Sequence, residues 1–261
     1  MKILQVSSGV PAAKQPVALT IAGVDSSGGA GVTVDLATFN SFEVQCKNVV
    51  TAVTAQSARA VYSVQGMRPA TITAQLVAVF SANPPKAAKC GMLYSAGVVE
   101  AVAEFWGGRR APLIIDPILV SSSGAPLLSL TGIRALKHRL LPLAKLVTPN
   151  VPEAEALCGV AIKSPEDMRK AARAIVEQYG CAAAITGGHL RGKEIVEVFF
   201  DGRDELLITS PRLSGGPWRG TGCRFTSAVT AQMAKGVSLA KAVCVATEWV
   251  SEELERLKVN G

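Results

Sequence analysis

Apolar and polar residues alternate along the chain in blocks whose spacing changes repeatedly between that of a buried strand and that of a helix. Short runs rich in Ala, Val, Leu and Ile end in Gly, Pro or polar residues, and longer stretches with helical spacing follow them. This βαβ alternation predicts an α/β fold with a mostly parallel sheet. The predicted strands are 17–22, 44–52, 87–93, 112–117, 145–149 and 182–186, with a hairpin of 196–200 and 205–209, and the predicted helices are 32–42, 71–81, 96–106, 131–141, 165–179, 222–235 and 239–257.

The composition indicates one large core. Of the 261 residues, 49% are hydrophobic and only 18% are charged, which is enough apolar material to cover a sheet with helices on both faces. The chain contains no internal repeat, low-complexity segment or linker. We therefore expect an N-terminal tail at 1–16 and a single domain at 17–261.

Charge and cysteine content narrow the choice of partners and compartment. The formal charge of +7 suits nucleic acid, an acidic membrane or phosphorylated small molecules. No basic run carries interleaved aromatic residues, and no apolar run has the length of a signal peptide core or a membrane span. Six scattered cysteines without CxxC spacing are typical of free thiols. We expect a soluble cytoplasmic protein with no nucleic-acid or membrane partner.

A glycine-rich helix start, Arg219-Gly220-Thr221-Gly222-Cys223, is the sharpest chemical feature. Small residues at a helix N-terminus let backbone N–H groups and the helix dipole converge on an anion such as a phosphoryl group. The segment matches neither the P-loop nor the dinucleotide fingerprint, and an ordinary turn is the simpler interpretation of such a sequence. Its position late in an α/β chain favours the anion site.

Polar residues also follow the predicted strands at 112–117 and 145–149. Because ligands of open α/β sheets bind beyond the carboxyl ends of the strands, Asp116 and Asn150 are candidate site residues by position alone. In Thr148-Pro149-Asn150-Val151-Pro152-Glu153, oxygen ligands three residues apart suit a hydrated Mg²⁺ that bridges nucleotide phosphates. The same residues also fit a capping box, with Asn150 as N-cap and Glu153 closing the turn. The segment alone does not choose between these interpretations.

The first predicted strand leads into a third candidate segment, the loop Gly23 to Gly31. Its small residues lie at the carboxyl end of a strand, which favours a backbone that approaches a flat ligand closely. Asp35 follows in the next helix and could instead serve only to stabilise the helix N-terminus.

Together these segments resemble the hydroxymethylpyrimidine and phosphomethylpyrimidine kinases of thiamine biosynthesis, a family of the ribokinase-like superfamily. The resemblance runs from about Val17 to Thr247. It rests on matching motifs in the same order along the chain: 18–23 (ALTIAG), 27–31 (SGGAG), Asp35-Leu36, 51–56 (TAVTAQ), Gly91-Met92-Leu93, Asp116-Pro117, Thr148-Pro149-Asn150, Gly187-Gly188-His189 and Gly220-Thr221-Gly222-Cys223.

The resemblance implies a ribokinase-like three-layer sandwich, with helices on both faces of a central, mostly parallel sheet. It also implies ATP and Mg²⁺ as cofactors, a small aminopyrimidine as substrate, and a homo-oligomer such as a dimer. The site residues that it implies are Gly23, Asp35, Gln56, Met92 and Ile118 for the pyrimidine, Asn150, Thr186, Gly188, Arg219 and Arg224 for nucleotide and phosphate, Asp116 and Glu153 for the metal, and Gly220, Thr221, Gly222 and Cys223 for catalysis.

Cys223 stands where many ribokinase-like sugar kinases carry an Asp as general base. A helix N-terminus can lower the pKa of a thiol, so we expect a thiolate able to deprotonate a hydroxymethyl group in a first phosphorylation. No base is needed when the acceptor is already a phosphate. The alternative is that Cys223 only packs, and that positioning and charge neutralisation drive the transfer.

The chain departs from the family pattern at several cations. Lysines that are usual near Ser122 and at Thr186 are absent. Arg219 and Arg224 stand where His and Thr are usual, which suggests that the positive charge has moved rather than disappeared. Ser26 replaces a usual Pro, and the glycine-rich tail typical of the family is missing.

Two other functions fit the same segments. A pyridoxal or pyridoxamine kinase of vitamin B6 salvage would share the fold and the anion hole, although the pair Asp35 and Gln56 favours an aminopyrimidine. A catalytically weak pyrimidine sensor would explain the missing lysines. Such sensors usually carry an added domain, and 261 residues leave no room for one.

Overall fold

The computed structural model describes residues 15–121, 124–216 and 218–260. The strands within these ranges form a single nine-stranded sheet. The strands are β1 (Val17–Asp25), β2 (Gln45–Gln56), β3 (Val61–Gly66), β4 (Ala87–Cys90), β5 (Leu113–Ile115), β6 (Leu146–Val147), β7 (Ala182–Ile185), β8 (Glu194–Phe200) and β9 (Glu205–Pro211). Their order in the sheet is β3-β2-β1-β4-β5-β6-β7-β8-β9. The six strands from β2 to β7 in that order are parallel, whereas β3, β8 and β9 pair antiparallel with their neighbours.

Helices cover both faces of this sheet. They are α1 (Gly31–Ser41), α2 (Pro69–Ser81), α3 (Ala96–Trp106), α4 (Leu130–Ala135), α5 (Val151–Cys158), α6 (Pro165–Tyr179), α7 (Thr221–Ala234) and α8 (Leu239–Asn260). A π-helical turn, Leu136–Leu140, and a 3₁₀ turn, Leu141–Leu143, extend α4.

Two separate apolar cores follow from this layering. One core packs residues of α2, α3, α5 and α6 against one face of the sheet, with Ile72, Val98 and Ile175 fully buried. The other packs α1, α7 and α8 against the opposite face around Phe39 and Phe225. The predicted three-layer α/β sandwich is confirmed.

The strands differ from the expectations in length and in number. The predicted strand 44–52 continues to Gln56 and pairs with β3, which the sequence analysis did not predict. The predicted strands 87–93, 112–117 and 145–149 shorten to β4, β5 and β6. The predicted hairpin is confirmed as β8 and β9. Most of the expected tail, residues 1–14, lies outside the described residues. Among the described helices, none combines the length and apolar character that crossing a bilayer requires.

Glu197 on β8 is a carboxyl group packed between the sheet and α8. Thr247 of α8 donates a hydrogen bond from Oγ1 to its Oε2. Burial raises the pKa of Glu197 to about 7 from an ordinary 4.5, although this hydrogen bond acts in the opposite direction. At pH values between these two pKa values, the Glu197 carboxyl group is protonated more often in the folded protein than in the unfolded chain. The free energy of unfolding therefore falls as pH rises through this range.

We predict that Glu197→Gln stabilises the protein at pH 8 by about 1–2 kcal/mol and has little effect at pH 4, where the carboxyl group is protonated in both states. Denaturant unfolding at the two pH values measures this difference. Glu194→Gln, at an exposed position on the same strand, is the matched control. An equal effect of Glu197→Gln at both pH values would contradict the prediction.

Candidate active site

The carboxyl ends of the parallel strands meet at one edge of the sheet, and the predicted site residues collect there. β2 ends at Gln56, β4 ends one residue before Gly91, β5 ends one residue before Asp116, and β6 ends one residue before Thr148. The loop that joins β1 to α1 lies at the same edge. Since open α/β sheets bind ligands at this edge, it is the candidate active site.

The β1–α1 loop, residues 25–31, folds back on its own strand. Val24 forms an isolated bridge with Gly31, whose φ is +65°. A Cβ at Gly31 would lie 2.2 Å from the carbonyl oxygen of Gly23. A side chain at this position is therefore excluded both by backbone conformation and by space, and the glycine lets the start of α1 approach β1.

A small apolar cluster lies beside this loop, where the sequence predicts the pyrimidine pocket. A Cβ at Gly23 would lie 3.0 Å from Sδ of Met92, so the glycine lets the thioether lie against the strand. Ile118 packs onto the same cluster. The structure thus brings together Gly23, Met92 and Ile118, three of the predicted pyrimidine residues. The buried members of the cluster are Ala52, Met92 and Leu127.

Gln56, the fourth predicted pyrimidine residue, stands at the end of β2 next to the loop. The Ser26 hydroxyl donates to the backbone carbonyl of Gln56 at 3.1 Å and accepts from its N–H at 2.9 Å. The Gln56 side chain accepts one hydrogen bond, from Thr54 Oγ1 at 3.2 Å. Its amide N–H₂ group is a pair of donors at the rim of the pocket.

The predicted anion hole lies where α7 begins. Gly220 is the N-cap residue with φ +70°, and a Cβ there would lie 2.5 Å from the carbonyl oxygen of Gly29. The first N–H groups of a helix have no partner within the helix, so those of Thr221, Gly222 and Cys223 are available to an anion. A Cβ at Gly222 would lie 3.9 Å from both carboxylate oxygens of Asp116. The anion hole and Asp116 therefore face each other.

Asp35 does not lie in the pocket. It is fully buried, one helical turn beyond Gly31. Its Oδ2 accepts a hydrogen bond from Thr20 Oγ1 at 2.6 Å, and its Oδ1 accepts from Lys89 Nζ at 2.7 Å and from Ser227 Oγ at 2.8 Å. With these three partners and no exposed surface, the geometry gives Asp35 a place beneath the site and does not support the predicted contact with a pyrimidine.

Lys89 is the residue that the sequence analysis missed. It lies in β4 with its side chain completely buried, and its ammonium group pairs with Asp35. Burial alone would lower the pKa of Lys89, but the nearby carboxylates of Asp35 and Asp116 outweigh this effect and raise it. The lysine is therefore a permanent positive charge, and it lies close enough to Cys223 to lower the pKa of that thiol.

The predicted metal pair, Asp116 and Glu153, is buried at the same place. Burial raises the pKa of both carboxyl groups, and the charge of Asp116 raises that of Glu153 further. Oδ2 of Asp116 is buried without a hydrogen-bond partner among the described residues. A buried oxygen with no donor, next to a second carboxylate, fits a hydrated cation. No group of three or more possible metal ligands occurs in the described part of the chain, so the remaining ligands would be waters and phosphate oxygens.

The capping interpretation of the 148–153 segment is confirmed. Asn150 Oδ1 accepts from the backbone N–H of Glu153 at 3.0 Å, and the Asn150 N–H donates to Glu153 Oε2 at 2.9 Å. This capping box fixes the start of α5 and holds the Glu153 carboxylate in place. It leaves a role in metal binding open, because a carboxylate that accepts one hydrogen bond per oxygen retains lone pairs.

Thr186 and Gly188 follow β7 beside this segment. The Thr186 N–H donates to the carbonyl of Pro149 at 2.9 Å, and Asn150 forms an isolated bridge with Thr186. A Cβ at Gly188 would meet nothing within 4 Å, so open space lies next to it. Three of the five residues predicted to bind nucleotide and phosphate, Asn150, Thr186 and Gly188, therefore lie close together. Ser122, the position of the other missing lysine, lies outside the described residues.

The expected lowering of the Cys223 pKa is wrong. Burial raises the pKa of this thiol to about 12, and the charges of Asp116 and Asp35 add to that effect. Lys89 and the backbone N–H of Gly31 act in the opposite direction but do not outweigh burial. The thiol is protonated, and it donates a hydrogen bond that lowers the pKa of Asp116.

Both arginines that flank the anion hole are held by other parts of the protein. Arg219 forms an ion pair with Asp25 at 3.0 Å, and Arg224 donates from Nη1 to the carbonyl oxygen of Arg219 at 2.9 Å. Two cationic side chains therefore lie next to the first turn of α7, and their role in phosphate binding stays a prediction.

We predict that Lys89→Met and Asp35→Asn each destabilise the protein by about 3–5 kcal/mol, because each leaves one buried partner of the ion pair uncompensated. The double variant should lose less than the sum of the two, since it contains no buried charge at either position. Urea unfolding of the four proteins gives the coupling energy. Strictly additive losses would show that the ion pair contributes nothing.

Comparison with known proteins shows the family to which the chain belongs. The family model described as phosphomethylpyrimidine kinase matches residues 25–260. A hydroxymethylpyrimidine/phosphomethylpyrimidine kinase from Aquifex aeolicus is 37% identical over 246 residues, 94% of this chain and 96% of the relative. The crystal structure of a phosphomethylpyrimidine kinase from Clostridium difficile 630 has a TM-score of 0.82 at 33% identity, covering 92% of this chain and 100% of that one. A pyridoxal kinase from Staphylococcus aureus, solved with AMP-PCP and pyridoxal, has a TM-score of 0.83 at 30% identity, covering 91% and 87%. The chain belongs to the phosphomethylpyrimidine kinase family.

Proposed function

We propose that this phosphotransferase phosphorylates 4-amino-5-hydroxymethyl-2-methylpyrimidine with ATP and then phosphorylates the monophosphate to the diphosphate, as a step of thiamine diphosphate biosynthesis. The observation that carries the proposal is the placement of the anion hole at the start of α7. It faces the Asp116 carboxylate across Gly222 and lies at the same edge of the sheet as the apolar pocket of Gly23 and Met92. Acceptor, phosphoryl group and metal could therefore meet at one point.

The pocket suits a small flat ring. Met92 and Ile118 offer apolar surface, and the missing side chain at Gly23 lets the Met92 thioether lie close to the backbone of β1. The Gln56 amide can donate to a ring nitrogen or accept from an exocyclic amine. Leaving such a polar ring atom unpaired would cost about 1–3 kcal/mol, so Gln56 would orient the substrate.

Asp116 and Glu153 would hold Mg²⁺ together with the phosphates of ATP. Bound Mg²⁺ would neutralise charge on the β- and γ-phosphates. Asn150, Thr186 and Gly188 line the adjacent surface, where the nucleotide would lie, and Arg219 and Arg224 would add positive charge near the transferred group. The first N–H groups of α7 would stabilise the equatorial oxygens of that group.

In the first reaction the hydroxymethyl oxygen attacks the γ-phosphorus, an O–P bond forms, the bond from the γ-phosphorus to the β-bridging oxygen breaks, and ADP leaves. The hydroxyl proton must also leave. Because the Cys223 thiol is itself protonated, it can take that proton at Sγ only by passing its own proton to Asp116, to which it already donates. In the second reaction a phosphate oxygen attacks, and no proton has to be removed.

We predict that Cys223→Ala lowers kcat for the hydroxymethyl acceptor by about 100-fold or more, the range of general acid–base catalysis, and leaves the second reaction within a few-fold. Coupled detection of ADP, with each pyrimidine offered separately, measures both reactions. Cys223→Ser keeps a hydroxyl group that can relay a proton and should retain more of the first reaction. Equal losses in the two reactions would reduce Cys223 to a packing residue.

Pyridoxal is the second candidate acceptor, favoured by the similarity to the Staphylococcus aureus pyridoxal kinase. The same assay with pyridoxal distinguishes the two. Turnover with pyridoxal alone would reassign the substrate, and no turnover with any acceptor would favour the weak pyrimidine sensor. A homodimer and a cytoplasmic location stay predictions of the sequence.

We predict that Asp116→Asn lowers kcat for both acceptors by at least about 100-fold, because it removes both the metal-facing charge and the final proton acceptor. The fold should persist, since burial already disfavours the charged form of this group. Initial rates over a Mg²⁺ titration, with thermal unfolding as the control, test this. A variant that keeps its kcat at saturating Mg²⁺ would exclude Asp116 from the site.

A further inference from the structure

Arg219 ties the β1–α1 loop to the anion hole. Its Nη2 lies 3.0 Å from Asp25 Oδ2, and its Nη1 lies 3.0 Å from Ser27 Oγ. Asp25 is at the first position of the loop, and Arg219 directly precedes Gly220 of the anion hole. A single side chain therefore bridges two segments that are 194 residues apart in the sequence.

The ion pair between Arg219 and Asp25 is largely buried and does not lie on the open surface. The side chain of Asp25 is 4% exposed and that of Arg219 is 20% exposed. A Cβ at Gly29 would lie 2.8 Å from Arg219 Nη1, so the guanidinium group lies directly against the loop backbone. Partly buried charges are screened less by water and salt than exposed ones, so this ion pair is stronger than an ordinary surface pair.

The bridge joins the chain segment next to the apolar cluster to the first turn of α7. Gly23, which precedes the loop, touches Met92 of the pocket, and Gly29, within the loop, touches Gly220. A phosphate carried by the acceptor would have to lie between these contacts, next to the Arg219 guanidinium. Two other cations lie near the anion hole. Lys89 is fully buried and paired with Asp35, so it is not free to meet a second phosphate, and Arg224 donates from Nη1 to the carbonyl oxygen of Arg219.

We propose, building on the proposed function, that Arg219 determines specificity for the phosphorylated acceptor by exchanging Asp25 for the phosphate of the substrate. A guanidinium group binds a phosphate dianion through two parallel hydrogen bonds, and the dianion carries more charge than the single carboxylate it replaces. A neutral hydroxymethyl acceptor carries no phosphate that could displace Asp25, so the ion pair between Arg219 and Asp25 persists while this acceptor reacts. Asp25 thus competes with the second acceptor and not with the first.

The proposal requires opposite effects from the two partners of the bridge. Arg219→Gln should lower kcat/KM for the monophosphate about 10- to 100-fold more than for the hydroxymethyl acceptor, the loss expected for a hydrogen bond between charged groups. Asp25→Asn keeps an oxygen for Ser27 but removes the competing charge, so it should lower KM for the monophosphate. Arg219→Lys should restore part of the preference.

Steady-state kinetics with each acceptor, at saturating ATP, test these effects, and thermal unfolding verifies the fold of each variant. Arg169→Gln is the matched control, since Arg169 forms ion pairs with Glu166 on α6 and with Glu205 on β9, and α6 packs on the opposite face of the sheet from α7. Equal losses with both acceptors in the Arg219 and Asp25 variants would make the bridge a structural strap and overturn the proposal. Turnover of both acceptors by the wild-type protein, with an unchanged ratio in Arg219→Gln, would overturn this proposal alone. A wild-type protein that phosphorylates neither pyrimidine would overturn the proposed function and this inference with it.

Discussion

The buried ion pair between Lys89 and Asp35 is the interaction on which the active site depends. Lys89 belongs to β4, Asp35 to α1, and Ser227, which also donates to Asp35, belongs to α7. Asp35 is four residues beyond Gly31, and Ser227 is four residues beyond Cys223, so each lies one helical turn below the residue that faces the ligand. The ion pair thus fixes the relative positions of the two helix starts that form the site. A shift of either helix would separate a buried charge from its partner, which is costly in a protein interior.

The sequence predicted those parts of the fold whose pattern lies within a few consecutive residues. Parallel strands such as β7 are continuous apolar runs between helices, and that pattern is visible within a few residues. β3 was missed because it lies at the edge of the sheet and is partly exposed, so its apolar and polar residues, among them Tyr62 and Gln65, show no buried run. The capping box of Asn150 and Glu153 was correctly included among the interpretations because all of its atoms belong to four consecutive residues.

Contacts between residues that are far apart in the sequence could not be predicted in the same way. Lys89 interrupts the short run of β4, and a single lysine in a strand ordinarily indicates a solvent-facing position. Its partner is 54 residues away in sequence, and only the packing of α1 on the sheet brings the two together. The same packing explains why Asp35 lies under the pocket rather than in it. The pKa of Cys223 was predicted in the wrong direction because burial, which sequence does not show, outweighs the helix N-terminus.

The balance of buried charge explains why the arginines matter. Asp35, Asp116 and Glu153 are buried carboxyl groups, and one buried lysine is paired with the first of them. Burial raises the pKa of the remaining two, and the charge of Asp116 raises that of Glu153 further, so the site without ligand is short of positive charge. In the proposed reaction ATP would bring further negative charge, which Mg²⁺ would offset only in part. A second phosphate on the acceptor therefore needs a cation that the buried site does not supply, and Arg219, held beside the anion hole by Asp25, is placed to provide it.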